Sequence, residues 1–373
     1  MKVLFIVRAL DYGGAERQLV VLAEGLHKKG HDVAVALFYS GGRFEKELLR
    51  CGITIHDLEK RGRWDVLSFL ARLGRLIRKT NPDVIYGFLS LPNILSVLLR
   101  RLSPKAKIIF GIRASGLEFG HYEPLVRWVY KLESILSRYS DLVIVNSNAG
   151  RHYCLEQSFD SSKLVTVYNG IDTEYFSPDL DGGKEFRRSN NIGENDILIG
   201  IVGRLDPMKD HATFLGAFAK VLKSVPRLKA LVIGKGADKE ELVKLQILTE
   251  KLGIAQKVIW KNPVEFMPPI YSAIDILVSS SRFGEGFPNV VAEAMSCETP
   301  CIVTQVGDSA DIVGSHDCVV EPGNIDELAD RLKALLLSKN YKEYSKEARK
   351  RIQNCYSIEK YVNSTEAALC SVM

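Results

Sequence analysis

The sequence of 373 residues lacks four features that would each point to a class of protein. No stretch supplies the roughly 20 consecutive apolar residues of a membrane-spanning helix. The seven cysteines are scattered, with no CxxC or Cys/His spacing, so we interpret them as reduced thiols of a cytoplasmic protein. No GxGxxG follows the first predicted strand, which disfavours a nicotinamide dehydrogenase. Arg8 interrupts the opening run MKVLFIV, which indicates a β-strand rather than a signal peptide.

The charge of the chain is modest and unevenly spread. Its formal net charge is +5. Residues 1–176 contain 25 Lys and Arg against 18 Asp and Glu, whereas the remainder contains 25 against 27. This asymmetry indicates that the first half alone meets an anionic surface. Nucleic acid is not a predicted partner, because no nucleic-acid-binding motif is present and the charge is low for that role.

Strand and helix patterns alternate along both halves, which predicts an α/β protein with two doubly wound, Rossmann-like domains. The predicted strands are short runs rich in Val, Ile and Leu, at 2–7, 31–38, 53–58, 83–88, 107–112, 141–147, 196–205, 228–234, 257–260, 275–281 and 301–304. Two such domains would face a central cleft, with ligands bound at the carboxyl ends of the strands.

The domain bounds follow from where this alternation lapses. We predict a first domain over 1–176, a polar, glycine-rich linker over 177–191 and a second domain over 192–355. A C-terminal helix over 356–373 is expected to pack back toward the first domain. Asp179-Leu180-Asp181 has the DxD spacing of some metal sites, but it lies in the linker with no strand before it. We interpret it as a solvated turn and predict no metal site.

The loop after the first predicted strand contains Gly13-Gly14 directly before a helix. Glycine lets the backbone approach a ligand closely, and the first N–H groups of a helix can bind an anion. The alternative is an ordinary tight turn.

The first strand of the second domain leads into GRLDPMKDH, residues 203–211. The pattern predicts Asp206 as a helix N-cap and Pro207 as the first helical residue. Arg204 would then lie at the strand tip and Lys209 in the first helical turn, where both can reach one anion such as a diphosphate. Two ordinary surface cations are the alternative.

The stretch SRFGEGFPNVVAEAM, residues 281–295, places a carboxylate in a loop and a second one in the following helix. Pro288 near the helix start would leave the amides of Gly286 and Phe287 available to sugar hydroxyls. Glu285 would accept hydrogen bonds from the same sugar, and Glu293 from the two hydroxyls of a ribose. A solvated loop acid and a surface helix acid are the alternative.

Taken together, GGAER at 13–17, GRL with Lys209 five positions beyond Arg204, VYNGID at 167–172 and EGFPNVVAE at 285–293 resemble glycosyltransferase family 4. These are the group 1 glycosyltransferases of GT-B fold, and the last motif is similar to their E-x7-E signature. The resemblance runs from residue 2 to about residue 355. It implies two Rossmann-like domains, with the donor held mainly by the second, and metal-independent sugar transfer that retains the anomeric configuration.

The resemblance assigns roles by position. Arg204 and Lys209 would hold the donor diphosphate and stabilise the departing charge, and Glu285 would act at the transferred sugar. These three are the candidate catalytic residues. The full predicted donor-binding set is Gly13, Gly14, Arg204, Lys209, Glu285, Gly286, Phe287, Pro288, Asn289 and Glu293.

The acceptor side departs from the family pattern. Many relatives have a histidine after the strand that corresponds to KIIFGI, where this chain has Arg113. His121 is nearby but not at the matching position. We therefore predict that Arg113 and His121 lie on the acceptor side, with Arg113 contacting an anionic acceptor.

A basic segment of the first half suggests a membrane contact. Apolar residues follow helical spacing at Trp64, Val66, Leu67, Phe69, Leu70, Leu73, Leu76 and Ile77, and cations accompany them at Lys60, Arg61, Arg63, Arg72, Arg75, Arg78, Lys79, Arg100, Arg101, Lys105 and Lys107. The basic bias of the domain predicts that it rests on an anionic bilayer. For the helix itself, the pattern favours packing on the core with a solvated basic face.

The sequence thus predicts a cytoplasmic glycosyltransferase, peripheral on the inner face of the membrane. It would move a hexose-type sugar from a nucleotide diphosphate donor, of UDP or GDP type, to a glycan or lipid-linked acceptor in cell-surface polysaccharide or glycolipid synthesis. No further cofactor is expected. The alternatives are a sugar-nucleotide epimerase, which would convert free donor without an acceptor, and a non-catalytic sugar-nucleotide-binding module.

Overall fold

The computed structural model describes residues 1–11, 13–62, 64–113, 124–236, 240–338 and 341–373. The chain forms two compact units. The first comprises Met1–Gly170 together with Ile358–Met373, and the second is Ile171–Ser357. The predicted first domain, residues 1–176, therefore runs past the end of the first unit's main segment, which lies at Gly170.

The first unit is built on a parallel sheet with helices between its strands. Its described elements are β1 Lys2–Val7, α1 Gly14–Lys28, β2 Asp32–Leu37, α2 Glu45–Arg50, β3 Thr54–Asp57, α3 Leu67–Thr80, β4 Val84–Phe88, α4 Ser90–Leu98, β5 Lys107–Ile112, α5 Pro124–Ser137, β6 Leu142–Val145, α6 Asn148–Glu156, β7 Leu164–Thr166 and, after the second unit, α15 Ile358–Cys370. The strand order is β3-β2-β1-β4-β5-β6-β7.

Both faces of this sheet are covered, as the apolar strands require. In β1 the side chains from Val3 to Val7 are all buried, and they alternate between two apolar clusters. Phe69, Leu73 and Ile77 of α3 belong to one of these clusters. Much of the apolar pattern from Trp64 to Ile77 therefore packs on the core, as the helical spacing favours.

Helix α15 completes the other face of the sheet. Tyr361, Val362 and Leu369 are buried in the cluster that also contains the apolar side of α1. Gly25 of α1 meets this helix so closely that a Cβ there would lie 2.3 Å from Cγ2 of Val362. The end of the chain is thus part of the first unit's core.

The second unit has its own parallel sheet. Its described elements are α7 Leu180–Ser189, β8 Ile197–Val202, α8 His211–Leu222, β9 Leu228–Ile233, α9 Glu240–Lys251, β10 Val258–Lys261, α10 Pro268–Ala273, β11 Ile276–Ser279, α11 Asn289–Ser296, β12 Cys301–Thr304, α12 Ser309–Val313, β13 Val319–Val320, α13 Ile325–Leu337 and α14 Tyr341–Cys355. The strand order is β10-β9-β8-β11-β12-β13.

This order places β8 and β11 side by side although more than 70 residues separate them in the chain. The chain builds outward from β8 in one direction and then from β11 in the other. Such a switch point is where open α/β sheets bind ligands at the carboxyl ends of their strands. The loops after β8 and β11 are those in which the sequence places Arg204, Lys209 and Glu285.

The segment predicted as a linker, 177–191, contains helix α7 and packs within the second unit against α10. Asp179 caps this helix by accepting a hydrogen bond from the Gly182 amide at 2.9 Å. Arg187 donates to the Asp275 carboxylate at 2.5 Å. The polar composition of the segment therefore reflects capping and an ion pair rather than irregular chain. None of the helices in the described residues is both long and apolar enough to cross a membrane.

Candidate functional site

The loops after β8 and β11 are joined to each other by direct contacts. The Arg282 amide donates to the Met208 carbonyl at 2.8 Å. The Ser280 hydroxyl donates to the Asp210 carbonyl at 2.9 Å. Because their strands are neighbours and parallel, the two loops meet at the same edge of the sheet, and these bonds fix them as one surface.

The loop after β8 differs from its prediction. Helix α8 begins at His211, and its N-cap is Asp210, which accepts from the Thr213 amide at 3.1 Å. The predicted N-cap, Asp206, instead closes a turn by accepting from the Lys209 amide. Asp210 has a left-handed backbone with φ of 44°, a conformation that Asp tolerates better than most residues. The prediction for Asp206 and Pro207 was wrong because the turn delays the helix by four residues.

Lys209 and Glu285 form an ion pair between the two loops. The Lys209 Nζ donates to Glu285 Oε1, and the Ser281 hydroxyl donates to the same oxygen at 2.6 Å. The side chains of Lys209 and Glu285 are only 15% and 9% exposed. Burial raises the pKa of Glu285, but the charge and hydrogen bond of Lys209, the Ser281 hydroxyl and the charge of Arg204 outweigh it, so the pKa is lowered. Glu285 is a carboxylate held in place by a cation.

Arg204 lies on the open side of this pair. Its side chain is 74% exposed, and its Nη2 lies 3.2 Å from Oδ2 of Asp206. An exposed guanidinium beside a cation that is already fixed can engage a bound anion without first leaving a buried partner. The structure therefore brings Arg204, Lys209 and Glu285 together, as their sequence positions predict.

The stretch from Gly286 to Asn289 connects this cluster to α11. Pro288 is the N-cap of the helix and Asn289 its first residue. The Gly286 carbonyl accepts from the Asp308 amide at 2.9 Å. Phe287 is buried with its ring edge-on to Tyr356, at 5.2 Å between centroids. The backbone around Gly286 is thus held from both sides.

Glu293 lies on the second turn of α11 and is half-buried. The hydroxyl of Tyr271 donates to its Oε2 at 2.8 Å. Burial, and then the negative charge of Glu293, raise the pKa of Tyr271 well above its usual value. A carboxylate offers about four acceptor positions for hydrogen bonds from hydroxyl groups.

Two predicted residues lie in the first unit, at the carboxyl end of β1. Gly13 is the N-cap of α1 and Gly14 its first residue. A Cβ at Gly13 would lie 2.0 Å from the carboxylate of Glu16. That carboxylate is the far end of a flexible side chain, so this contact alone does not require glycine there.

The acceptor-side residues have different outcomes. His121 lies outside the described residues. Arg113 follows β5, and its guanidinium donates to Oδ1 of Asn169 at 3.1 Å and to the Tyr361 hydroxyl at 3.0 Å. It also stacks at 4.4 Å from the centroid of the Phe88 ring. These contacts tie β5 to α15 inside the first unit.

Sequence reasoning missed three residues that shape the second unit's site. Ser281 donates to Glu285, Tyr271 donates to Glu293, and Asp210 fixes the start of α8. Serine at the end of a strand and aspartate before a helix are weak signals for hydrogen-bonding roles, and nothing in the sequence marks Tyr271. Among the described residues, no group of three or more His, Cys, Asp or Glu is arranged to hold a metal ion.

Two family models match the chain in succession. The model described as Glycosyltransferase Family 4 matches residues 12–175. The model described as Glycosyl transferases group 1 matches residues 183–352. The second match contains all the site residues of the second unit.

Two related proteins cover most of the chain. UDP-Gal:alpha-D-GlcNAc-diphosphoundecaprenol alpha-1,3-galactosyltransferase of Escherichia coli is 25% identical over 306 residues, which is 80% of this chain and 77% of that protein. N-acetylgalactosamine-N,N'-diacetylbacillosaminyl-diphospho-undecaprenol 4-alpha-N-acetylgalactosaminyltransferase of Campylobacter jejuni is 27% identical over 362 residues, 91% of this chain and 92% of that protein.

A solved structure matches the fold over the whole chain. Anabaena HepE in complex with UDP-glucose has a TM-score of 0.89 at 20% identity and covers 100% of both chains. At this identity the likeness shows the fold alone. It confirms the predicted α/β architecture of two doubly wound, Rossmann-like domains, the GT-B fold.

Proposed function

Because the chain belongs to the group 1 and family 4 glycosyltransferases, we propose that it moves a hexose-type sugar from a nucleotide diphosphate to a glycan or lipid-linked acceptor. The transfer retains the anomeric configuration and uses no metal ion. The donor is of UDP or GDP type. HepE was solved with UDP-glucose, which supports the choice of donor. The names of both related proteins include an undecaprenol diphosphate acceptor, which supports a lipid-linked acceptor.

The observation that carries the proposal is the cluster of Arg204, Lys209 and Glu285 on two adjacent loops. It combines two cations with a buried, ionised carboxylate at the switch point of the sheet. A sugar nucleotide needs this combination, since its diphosphate is anionic and its sugar carries hydroxyl donors.

The two cations have distinct tasks. Lys209 is fixed by Glu285 and provides a positioned charge. The exposed guanidinium of Arg204 donates two hydrogen bonds to the diphosphate. As the bond between sugar and phosphate breaks, negative charge grows on the leaving diphosphate. Positive groups already in place stabilise that charge without reorganising. The leaving phosphate takes the proton of the acceptor.

The two glutamates bind the two ends of the donor. Glu285, with the amides of Gly286 and Phe287, holds the transferred sugar near its reacting carbon. Glu293 accepts from the ribose hydroxyls, with Tyr271 fixing its orientation. Pro288 and Asn289 form the start of α11 beside the sugar. The roles of Gly13 and Gly14 toward the donor phosphates stay predictions.

The same relatives support a proposal for the acceptor and the place of reaction. We propose that the protein works peripherally at the cytoplasmic face of a membrane, on a polyprenol diphosphate-linked glycan. The excess of Lys and Arg over residues 1–176 supports contact with anionic lipid. The acceptor role of Arg113 stays a prediction, and its contacts with Asn169 and Tyr361 support a positioning effect on the end of β5.

Transfer is tested with UDP- and GDP-linked hexoses and N-acetylhexosamines, and with a water-soluble, short-chain polyprenol diphosphate sugar as acceptor. We expect one donor to be consumed only when the acceptor is present. Arg204→Ala should lower kcat/KM by about 10²- to 10³-fold. Lys220→Ala, which removes an exposed cation on the same unit, is the matched control and should leave the rate unchanged. Conversion of the donor without acceptor would instead indicate an epimerase.

Stereochemistry and metal use are measured on the same reaction. The proton coupling constant at the new anomeric centre should match that of the donor. Addition of EDTA should leave the rate unchanged. An inverted product, or loss of activity that a divalent cation restores, would contradict the corresponding part of the proposal.

A further inference from the structure

Helix α5 exposes three large apolar side chains and buries its acid. Trp128, Leu132 and Ile135 are 67%, 43% and 44% exposed, and their spacing of four and three residues places them on one helical face. Glu133 lies on the buried side with 2% exposure. This is the reverse of the usual orientation of a surface helix.

A buried polar network fixes this orientation. The Glu133 carboxylate accepts from Nδ2 of Asn93 in α4 at 2.6 Å, and Oδ1 of Asn93 accepts from the Gly111 amide of β5 at 3.2 Å. Burial raises the pKa of Glu133 to about 7, although the hydrogen bonds of Ser90 and Asn93 lower it. Rotating α5 to bury its apolar face would break these bonds. The hydrogen bonds of Glu133 and Asn93 therefore keep the apolar face of α5 exposed.

All the charged side chains exposed on this part of the chain are cations. Arg127, Lys131 and Arg138 are exposed, and Glu133 is the one acid in the sequence from 124 to 139. The Lys131 ammonium lies 5.7 Å from the centroid of the Trp128 ring. Aromatic side chains next to Lys and Arg are typical of surfaces that enter the headgroup region of a bilayer.

We propose that the α5 face, formed by Arg127, Trp128, Lys131, Leu132, Ile135 and Arg138, docks on an anionic lipid bilayer. The cations meet the lipid headgroups, while Trp128 and Leu132 enter the interfacial layer. Charge complementarity selects an anionic bilayer as the occupant. The inference rests on the proposed function and deepens it, because a lipid-linked acceptor would be presented at such a surface.

A second exposed apolar site lies at the start of α3, where Trp64 and Leu67 are largely exposed. Its charge is mixed, since Glu59 and Asp65 accompany the cations there, and Asp65 pairs with Arg72. The sequence pattern pointed to this segment. The α5 face matches an anionic surface better, because its exposed charged side chains are all cations. The two sites can be separated by experiment, because each contains one tryptophan.

Tryptophan fluorescence tells which site enters the lipid. The chain has three tryptophans, and the third, Trp260, is half-buried in the second unit. The full chain is mixed with phosphatidylcholine vesicles, with and without phosphatidylglycerol. We expect Trp64→Phe to keep a blue shift with the anionic vesicles and quenching by brominated lipid, and Trp128→Phe to lose both. The opposite pattern would overturn the proposal.

Vesicle flotation measures the binding itself. Leu132→Gln with Ile135→Gln should weaken partitioning into anionic vesicles at least tenfold. Ile247→Gln in α9 of the second unit is the matched control, because Ile247 is also 44% exposed, and it should bind like the wild type. Lys131→Glu should weaken vesicle binding more at low salt than at high salt, because salt screens the attraction between the cations and the lipid. Binding that ignores phosphatidylglycerol would overturn the charge argument.

The outcomes are distinguishable from a failure of the proposed function. Flotation needs neither donor nor acceptor, and the α5 variants should keep full activity on the water-soluble acceptor. Absent vesicle binding with normal transfer would overturn the docking surface alone. If Leu132→Gln with Ile135→Gln converted a dimer to a monomer in light scattering, the face would belong to a second copy of the chain.

Discussion

Lys209 shows how one side chain can serve stability and binding at once. Its pairing with Glu285 is almost fully withdrawn from solvent, so each charge depends on the other. Removing one member of a buried pair leaves an uncompensated charge, which costs far more than removing both.

We therefore expect Lys209→Met to lower the free energy of unfolding of the second unit by about 3 kcal/mol or more. The double variant Lys209→Met with Glu285→Gln should recover most of that loss, while transfer activity stays abolished in both. Urea unfolding and the transfer assay together provide the check. Equal stability of wild type and Lys209→Met would mean that the pair is solvated in solution.

At the residue scale, the sequence predicts the charged members of the site but not their neutral partners. Arg204, Lys209 and Glu285 are recognisable because they lie in glycine-containing loops that follow strands. Ser281 and Tyr271 act through space, each on a residue whose position depends on how β11 and α11 pack. Hydroxyl groups of this kind are common throughout the chain, so their type alone carries little information.

At the element scale, buried strands are the best predicted parts. The runs 2–7, 107–112 and 301–304 coincide with β1, β5 and β12. Helices α6 and α10 were not predicted, and the six residues of α10 give too few turns for a helical period to stand out. The orientation of α5 was also beyond the sequence, since Asn93, 40 residues away, determines which side is buried.

The buried acid of α5 gives the first unit a pH-dependent stability. The folded-state pKa of Glu133, about 7, lies above its ordinary value of 4.5, so the folded form binds more protons between these two pH values. Stability is therefore highest below pH 4.5 as far as this group is concerned, and it falls as pH rises to 7, by on the order of 3 kcal/mol.

Replacing the acid by Glu133→Gln should remove this slope. We expect the variant to equal the wild type near pH 4.5 and to exceed it in stability near pH 8, as measured by urea unfolding across the range. Glu156→Gln, an exposed acid in α6, is the control and should keep the wild-type slope. A slope that survives in Glu133→Gln would contradict the assignment.

At the scale of the whole molecule, the first unit depends on a helix that follows the second unit in the chain. Gly25→Ala should force α15 away from α1, because the new methyl group would overlap Val362. We expect the first unit to lose about 1–3 kcal/mol of stability. Stability is measured in a Trp260→Phe background. The two remaining tryptophans, Trp64 and Trp128, both lie in the first unit, so tryptophan fluorescence follows the unfolding of that unit alone.

The double variant Gly25→Ala with Val362→Ala provides the decisive comparison. Making room on α15 should restore part of the lost stability, so the two changes should not add. Strictly additive losses would show that the overlap is relieved elsewhere.

The predicted organisation into two Rossmann-like domains follows from the alternating pattern of strands and helices. The return of α15 to the first unit adds a temporal consequence. During synthesis the ribosome releases the whole of Ile171–Ser357 before it releases the helix that covers α1. The second unit, contiguous in the chain, can therefore finish folding first, while the apolar side of α1 that packs on α15 is still uncovered. Chaperones that bind nascent chains would therefore bind this protein mainly at the apolar side of α1.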